Sequence, residues 1–483
     1  LFGNQLNIKI FNPEIYNSYN TQAPFGQNDE ALWQGKGYNF NLTTGFFAQY
    51  KGFNLSFKPS LSFSQNADFD YPKPNYSGEN YKNKAAIYGD YSLGNIDAPQ
   101  RFGTSPFFTL DWGDSELRYT WNDLTLGFGT EYLWLGPAKI NPILHSNNAP
   151  SYPKFDFGIK KHSLEINDLW LGDIEFRYWF GKLQESDYFD NDNSNNNNLI
   201  TGLALSYEIP FIPNLTIGLN RTMLSKWNNK SKYTMWTLLI PYMKRKAGYD
   251  ESDQRASVFA DLLIPEGGID IYLEWGKNDY NSGFDNLMRY PFHTQAITAG
   301  FTKNIHYMKF PDLLSQLQFE ISFLESSMDY HFFYDWGGSG NDFYSHHLIT
   351  QGYTNKGQYL GAGIGAGGNS QYISYKFLYS KGSTTLSLQR YNPDLNYFYF
   401  MAPRNNNSSS PNGDIKKAIN VHFILGLSNI HYFTNSLRTE SSFYLDDEHN
   451  PLLINKNLLE NPSTKKSEHR YNCVFQFGLK YFI

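Results

Sequence analysis

From Phe53 to Ser64 apolar and polar residues alternate: Phe53, Leu55, Phe57, Leu61 and Phe63 fall on one side, Asn54, Ser56, Lys58, Ser60, Ser62 and Ser64 on the other. A period of two is that of a β-strand, whose successive side chains point to opposite faces. The preceding segment repeats it, with Tyr38, Phe40, Leu42, Phe46, Ala48 and Tyr50 opposite Asn39, Asn41, Thr43 and Gln49, and Lys51-Gly52 between them predicts a tight hairpin. Both segments run about 12 residues, close to the ~9–11 that cross a bilayer when tilted. The unit recurs. Gly113-Asp114 separates 107–112 from 116–121, Gly172-Asp173 precedes 174–180, Gly267-Gly268 precedes 269–275 and Lys381-Gly382 precedes 384–390. Between such units lie long polar stretches at 65–100, 182–198, 277–289, 326–350, 391–416 and 446–467.

Short turns alternating with long loops predict an all-β fold: one transmembrane antiparallel β-barrel of about 18 strands spanning 1–483, its turns periplasmic and its loops extracellular. Residues 1–36 are expected to form a lead-in segment. The last strand carries Tyr471, Cys473, Phe475, Phe477, Leu479, Tyr481 and Ile483 on one face, which puts Cys473 against lipid, where a thiol is inert.

Composition narrows the alternatives. Aromatic residues make up 18 % of the chain while the mean hydropathy is −0.53. That pairing suits a barrel with a lipid-facing outside, a wet inside and aromatic rims better than a soluble core. No run approaches the ~20 apolar residues of a membrane-spanning helix. A net charge of −6 without a basic cluster gives no footprint for nucleic acid, and one cysteine rules out an intrachain disulfide. The chain opens at Leu1 without a charged-then-apolar leader, so any export signal is expected to have been removed or omitted. The expected setting is the bacterial outer membrane, with its lipid as one partner.

Several stretches resemble the Wzi-type capsule assembly family. They are Pro13–Gly37 with Leu32-Trp33-Gln34-Gly35-Lys36-Gly37, Trp134-Leu135-Gly136-Pro137 followed by Ser146-Asn147-Asn148-Ala149-Pro150 and Pro153, Gly352–Gln358 leading into Gly363–Asn369, and Asp261–Pro265 with Tyr272, Glu274, Trp275, Gly276 and Asp279. The resemblance implies an outer-membrane barrel of about 18 strands associated with surface polysaccharide. It departs from the pattern at the N-terminus, where Leu6, Ile8 and Ile10 read as a strand instead of the helical segment that plugs the periplasmic mouth of the enterobacterial member.

Function then has three candidate classes: a non-enzymatic barrel that binds or organises capsule or exopolysaccharide, which the resemblance favours; a porin or transport channel; and a structural subunit working with other outer-membrane proteins. Pro137, Pro142, Pro150 and Pro153 cannot join a central ladder, so 131–153 is either a segment folded into the lumen or an ordinary loop. Asn147 and Asn148 there, with Tyr353, Asn355 and Lys356, are its candidate polar groups. For polysaccharide, the 326–350 loop offers Tyr334, Trp336 and Tyr344 to stack on sugar rings and Asp335 and Asp342 to bond hydroxyls; a membrane-interface rim explains the same aromatics equally well. His331, Asp335, Asp342, His346 and His347 match no closed metal site. Gly363-x-Gly365-x-x-Gly368 lacks the helix that a dinucleotide fingerprint needs, and no nucleophile elbow appears. No enzyme activity, cofactor or metal is expected.

Overall fold

In the computed structural model the backbone traces one closed antiparallel sheet. The structure describes residues 6–71, 96–190, 192–227, 252–278, 288, 294–307, 313–325, 343–346, 348–393, 420–452 and 469–482. The sheet's 20 segments form 18 strands, because two strands are each split in two. They are β1 (Asn7–Asn20), β2 (Gly37–Tyr50), β3 (Phe53–Phe57 and Ser60–Ser64), β4 (Phe107–Asp111 and Glu116–Trp121), β5 (Leu124–Gly129) and β6 (Lys154–Ile166). Then come β7 (Leu169–Gln184), β8 (Asn197–Glu208), β9 (Leu215–Lys226), β10 (Ser252–Ile264), β11 (Ile269–Asn278) and β12 (Gln295–His306). The circuit ends with β13 (Leu314–Phe323), β14 (Asn369–Tyr379), β15 (Gly382–Asn392), β16 (Val421–Thr434), β17 (Leu437–His449) and β18 (His469–Tyr481). Each pairs with its neighbours in sequence, and β1 closes the ring on β18 through Glu14↔Lys480 to Asn20↔Val474.

The alternation is resolved into two faces. On β15 Leu386 and Leu388 are half exposed while Ser387 and Gln389 point inward; on β11 Leu273 is 50 % exposed and the adjacent Glu274 is fully buried. Outward apolar side chains with no protein covering them are the lipid face. Trp121, Tyr50, Phe433 and Tyr481, all outward near the short-turn end, supply an aromatic belt there. Cys473 shares the outward face with Tyr471 and Phe475.

Three expectations change. Residues 1–36 are more than a lead-in, since Asn7–Asn20 is a full barrel strand; a register shift between Phe11 and Glu14, around Pro13, breaks the alternation that marks it. Gly113-Asp114 is no hairpin. Ser60 pairs with Asp111 and Ser56 with Glu116, so both halves of β4 run in one direction and the dipeptide is an interruption within a strand. The cause sits opposite, where Pro59 has no amide hydrogen for the ladder; Gly113 takes φ 57° at the break. The β6–β7 turn is Asn167-Asp168, both residues left-handed at φ 49° and 62°, while Gly172 lies inside β7. Lys51-Gly52 and Gly267-Gly268 do fall at turns.

The face assignment predicts an asymmetric response. Leu386→Arg, on the lipid side near mid-strand, should cost roughly 2–4 kcal/mol and lower the yield of heat-modifiable barrel, while Ser387→Arg next to it should assemble normally. Equal yields would refute the assignment.

Candidate functional site

Loops that begin at the long-loop end turn back between the strands. The 130–153 stretch between β5 and β6 is tied to inward side chains of distant strands. Glu320 of β13 accepts hydrogen bonds from the backbone N–H groups of Lys139 (2.8 Å), Ile140 (3.1 Å) and Asn141 (2.7 Å) and from the Tyr272 hydroxyl (2.8 Å). Glu274 of β11 accepts from Ile143 N (3.3 Å) and Ser257 Oγ (2.6 Å). Gly136 (φ +88°) lies so near Glu274 that a Cβ would stand 2.7 Å from its carboxylate. At the start of the stretch, Glu131 pairs with Arg177 and with Lys154 (3.3 Å), and Asp156 pairs with Arg118 (2.8 Å) and Arg177 (3.0 Å). The charges of Glu131 and Asp156 are thus met by opposite ones, while Glu320 and Glu274 are satisfied by neutral donors. Since Glu320, Glu274 and Arg177 all face inward, the stretch lies within the barrel's circumference and forms a plug.

Other segments complete the plug. Asn28 N donates to Asn148 Oδ1 (3.1 Å), Glu30 N to Asn147 O (2.7 Å) and Asn148 Nδ2 to Tyr359 O (3.1 Å). Asn355, beside the Lys356-Gly357 turn, donates to Pro150 O (2.9 Å) and Ser151 O (3.2 Å) and accepts from Gln184 N (3.0 Å). Gly361 permits the closest approach, since a Cβ there would lie 2.3 Å from Ile143 O. His145 is held at the centre: its Nδ1 donates to Leu144 O (2.7 Å), its Nε2 accepts from Tyr152 OH (2.7 Å), and its ring meets Trp179 edge-on. Burial takes its pKa down to about 3, so the imidazole is neutral. Asp97, fully buried, accepts from Ser186 N and Oγ, both at 2.6 Å, and burial pushes its carboxyl up to about 7.

The expected polar groups therefore meet in one place, although they come from loops some two hundred positions apart. Asn148 and Asn355 are plug linkers, Asn147 contributes its backbone carbonyl, and Lys356 approaches Asp111 at 3.9 Å. Tyr353 is buried, with the Arg255 guanidinium 4.7 Å over its ring. Tyr344, expected as a sugar-stacking residue, is fully buried; its hydroxyl donates to Ile143 O (2.7 Å) and accepts from Ala362 N (2.8 Å), so its ring has no free face. Tyr334, Asp335, Trp336 and Asp342 lie outside the described residues. The glycine run 363–368 is part of the plug and leads directly into β14.

The plug does not fill the section of the barrel bounded by β14–β18. Between them lies a cleft of about 500 Å³ whose lining includes Phe25, Trp33, Asn148 and Tyr359 on the plug side and Tyr372, Gln389, Tyr391, His422, Tyr444 and Arg470 on the strands. The Tyr391 and His422 rings stack at 4.4 Å and 9°. His422 Nδ1 donates to Asp446 (3.0 Å), and Arg470 Nε donates to Glu448 Oε2 (2.6 Å). The wall thus presents aromatic faces, carboxamides and hydroxyls, with Arg470 paired to Glu448 and His422 to Asp446, and the plug side adds the Asp29 carboxyl. Nothing in the 326–350 pattern pointed to this wall; the signal lay in inward strand positions 372, 389, 391 and 444, which alternation alone marks only as polar-side.

A family model, capsule assembly protein Wzi, matches residues 10–441. The chain belongs to the Wzi capsule assembly family. It is an outer-membrane β-barrel. Among solved structures it resembles Wzi of Escherichia coli, an outer membrane protein involved in group 1 capsule assembly and a carbohydrate-binding β-barrel, at 13 % identity and TM-score 0.60 over 98 % of this chain and 85 % of that one. Other solved structures that it matches are OccD3 of Pseudomonas aeruginosa (9 % identity, TM-score 0.45, 99 % and 92 % covered) and OccAB4 of Acinetobacter baumannii (9 %, 0.44, 98 % and 98 %). No curated protein matches in sequence. Of the four stretches that carry the family resemblance, parts of 13–37, 134–153 and 352–369 meet in the plug, and the one that begins at Asp261 lies mainly on β10 and β11.

Two outcomes follow for the plug. Glu320→Ala removes the acceptor of three backbone amides, each bond to a carboxylate worth about 1.5–3 kcal/mol, so protease should cut near 139–143 and single-channel conductance should rise. Unchanged cleavage and conductance would mean that the stretch is held without it. Asp97 is protonated more readily folded (about 7) than unfolded (3.8), so its contribution is full below pH 3.8 and is lost as pH rises through about 7. Amide exchange around 96–107 should therefore speed up between pH 4 and 8 in the wild type, and less steeply in Asp97→Asn.

Proposed function

We propose that this barrel is a non-enzymatic receptor for surface polysaccharide and that the sugar chain lies in the cleft between the plug and β14–β18. The observation that carries this reading is the chemistry of that cleft. Its Tyr372, Tyr391, Tyr444, Phe25 and Trp33 rings suit the apolar faces of pyranoses, and Gln389, Asn148 and Gln27 suit hydroxyl edges. Its cationic groups are already paired, Arg470 with Glu448 and His422 with Asp446, and burial pushes the pKa of its Asp29 carboxyl up to about 7. A neutral, hydroxyl-rich chain therefore displaces no ion pair on entering, whereas a compact anion would compete with Glu448 for Arg470. Family membership and the carbohydrate binding described for the Escherichia coli protein point the same way. Tyr334, Trp336, Asp335 and Asp342 are proposed as further contacts in the 324–368 loop, on residue type alone; Tyr344 is withdrawn from that set because it is buried in the plug.

Retention of purified capsular polysaccharide on immobilised barrel tests the proposal. Tyr372→Ala and Gln389→Ala should each weaken retention by roughly five- to thirtyfold, about 1–2 kcal/mol, with heat-modifiability unchanged. Full retention in both, combined with loss in Tyr334→Ala and Trp336→Ala, would move the binding surface to the outer loop. Free passage of solutes through wild-type barrels in liposome swelling would favour a channel instead.

A further inference from the structure

At the long-loop end of the last two strands, on the outward face, three metal-ligating side chains converge. His449 and His469 form the final rung between β17 and β18, and Asp447 sits one outward position below His449, two rungs along and opposite Tyr471. The Asp447 carboxylate lies 2.9 Å from His469 Nδ1 and 3.3 Å from His449 Nε2, and one ligand atom from each of the three residues lies within 4.8 Å of the others. The two imidazole rings are 4.0 Å apart. From this geometry we infer that Asp447, His449 and His469 form a binding site for a divalent late transition cation of the Zn²⁺ class.

The reasoning is geometric and chemical. Zn²⁺ bound to imidazole nitrogen and carboxylate oxygen at ~2.0–2.2 Å in a tetrahedron has ligand–ligand edges of roughly 3.4 Å. The imidazoles lie 2.9 Å from Asp447 Oδ1 and 3.3 Å from Asp447 Oδ2, and one ligand atom of each residue lies within 4.8 Å of the others, so side-chain rotation can bring the three to that spacing. Two imidazoles and one carboxylate are a donor set for zinc, copper or nickel, not for a hard, oxygen-seeking cation. Two paired strands hold the donors, so their backbone spacing is set before any ion arrives. All three side chains are partly exposed, with relative accessibilities of 30–40 %, which leaves an approach from outside. The other acidic group, Glu116, Glu131 and Asp156, differs in kind because Arg118, Arg177 and Lys154 already neutralise it. A cation held by Asp447, His449 and His469 would clip β17 to β18 at the rim of the barrel, about the level where they leave the membrane.

The test is Zn²⁺ binding to the tag-free, detergent-folded full chain by equilibrium dialysis and calorimetry. One Zn²⁺ per chain is expected, with Asp447→Asn weakening binding at least tenfold, His449→Ala/His469→Ala abolishing it, and His162→Ala/His431→Ala leaving it unchanged. Absence of stoichiometric binding in the wild type, or its persistence in the His449/His469 variant, overturns the site. If that variant fails to become heat-modifiable, X-ray absorption on the zinc-loaded wild type decides: two imidazoles with a carboxylate sustain the site, and any ligand set without paired imidazoles overturns it.

Discussion

Inside a bilayer an unpaired backbone amide finds no water, and a sheet that spans one must therefore have no edge. In this chain that constraint is met at a single seam, where Glu14–Asn20 pairs with Val474–Lys480. The two strands are separated by nearly the whole sequence, so all the intervening strands must be in register before the seam can form. Closure also commits every strand to one inward and one outward face. The outward face is paid for in apolar residues; the inward face can be polar, and largely is.

A closed ring of 18 strands encloses more space than its own side chains fill. Here the balance is taken up by backbone that would be untenable in lipid. The 130–153, 21–36 and 351–368 stretches carry prolines, glycines and left-handed residues, and they persist because inward carboxylates and carboxamides answer their amides. Glu320 is the clearest instance, a buried acid satisfied by three successive backbone donors and a tyrosine hydroxyl. The 130–153 part of the plug is held by β6, β7, β11 and β13, and the cleft is the space left between the plug and β14–β18 beside the contacts of Phe25 with Tyr444 (5.3 Å) and of the Gln22 amide with Asn472 (2.8 Å). Loop packing on one side thus decides where a ligand has room on the other.

How much of this could be read beforehand depends on which physical signal each element leaves. The lipid-facing strands were legible because alternation is local, and turns such as Lys51-Gly52 were legible because they need left-handed backbone. Gly113-Asp114 misled because a glycine at φ 57° marks an interruption as well as a turn, and only Pro59 on the neighbouring strand distinguishes them. The start of β1 was legible in Leu6, Ile8 and Ile10, and its continuation beyond Phe11 was obscured by its own bulge. For the site, Asn148, Asn355 and the proline-rich 131–153 stretch were visible as residues unsuited to a ladder, but their mutual contacts arise from closure and leave no trace in local pattern. Tyr344 shows the same limit from the other side: its neighbours in sequence suggest a solvated aromatic loop, and its place in the plug comes from Ala362, 18 positions on, and from Ile143, 201 positions away.

In the proposed function, a sugar chain lies in the cleft between the plug and β14–β18. Amide hydrogen exchange of the reconstituted barrel, with and without oligosaccharide from its own capsule, tests that assignment most directly. Binding in the cleft should slow exchange in 25–34 and 357–365, the plug segments that line it, and leave the Asn167-Asp168 and Lys51-Gly52 turns unaffected. Saturating oligosaccharide binding with exchange unchanged in both plug segments would contradict it.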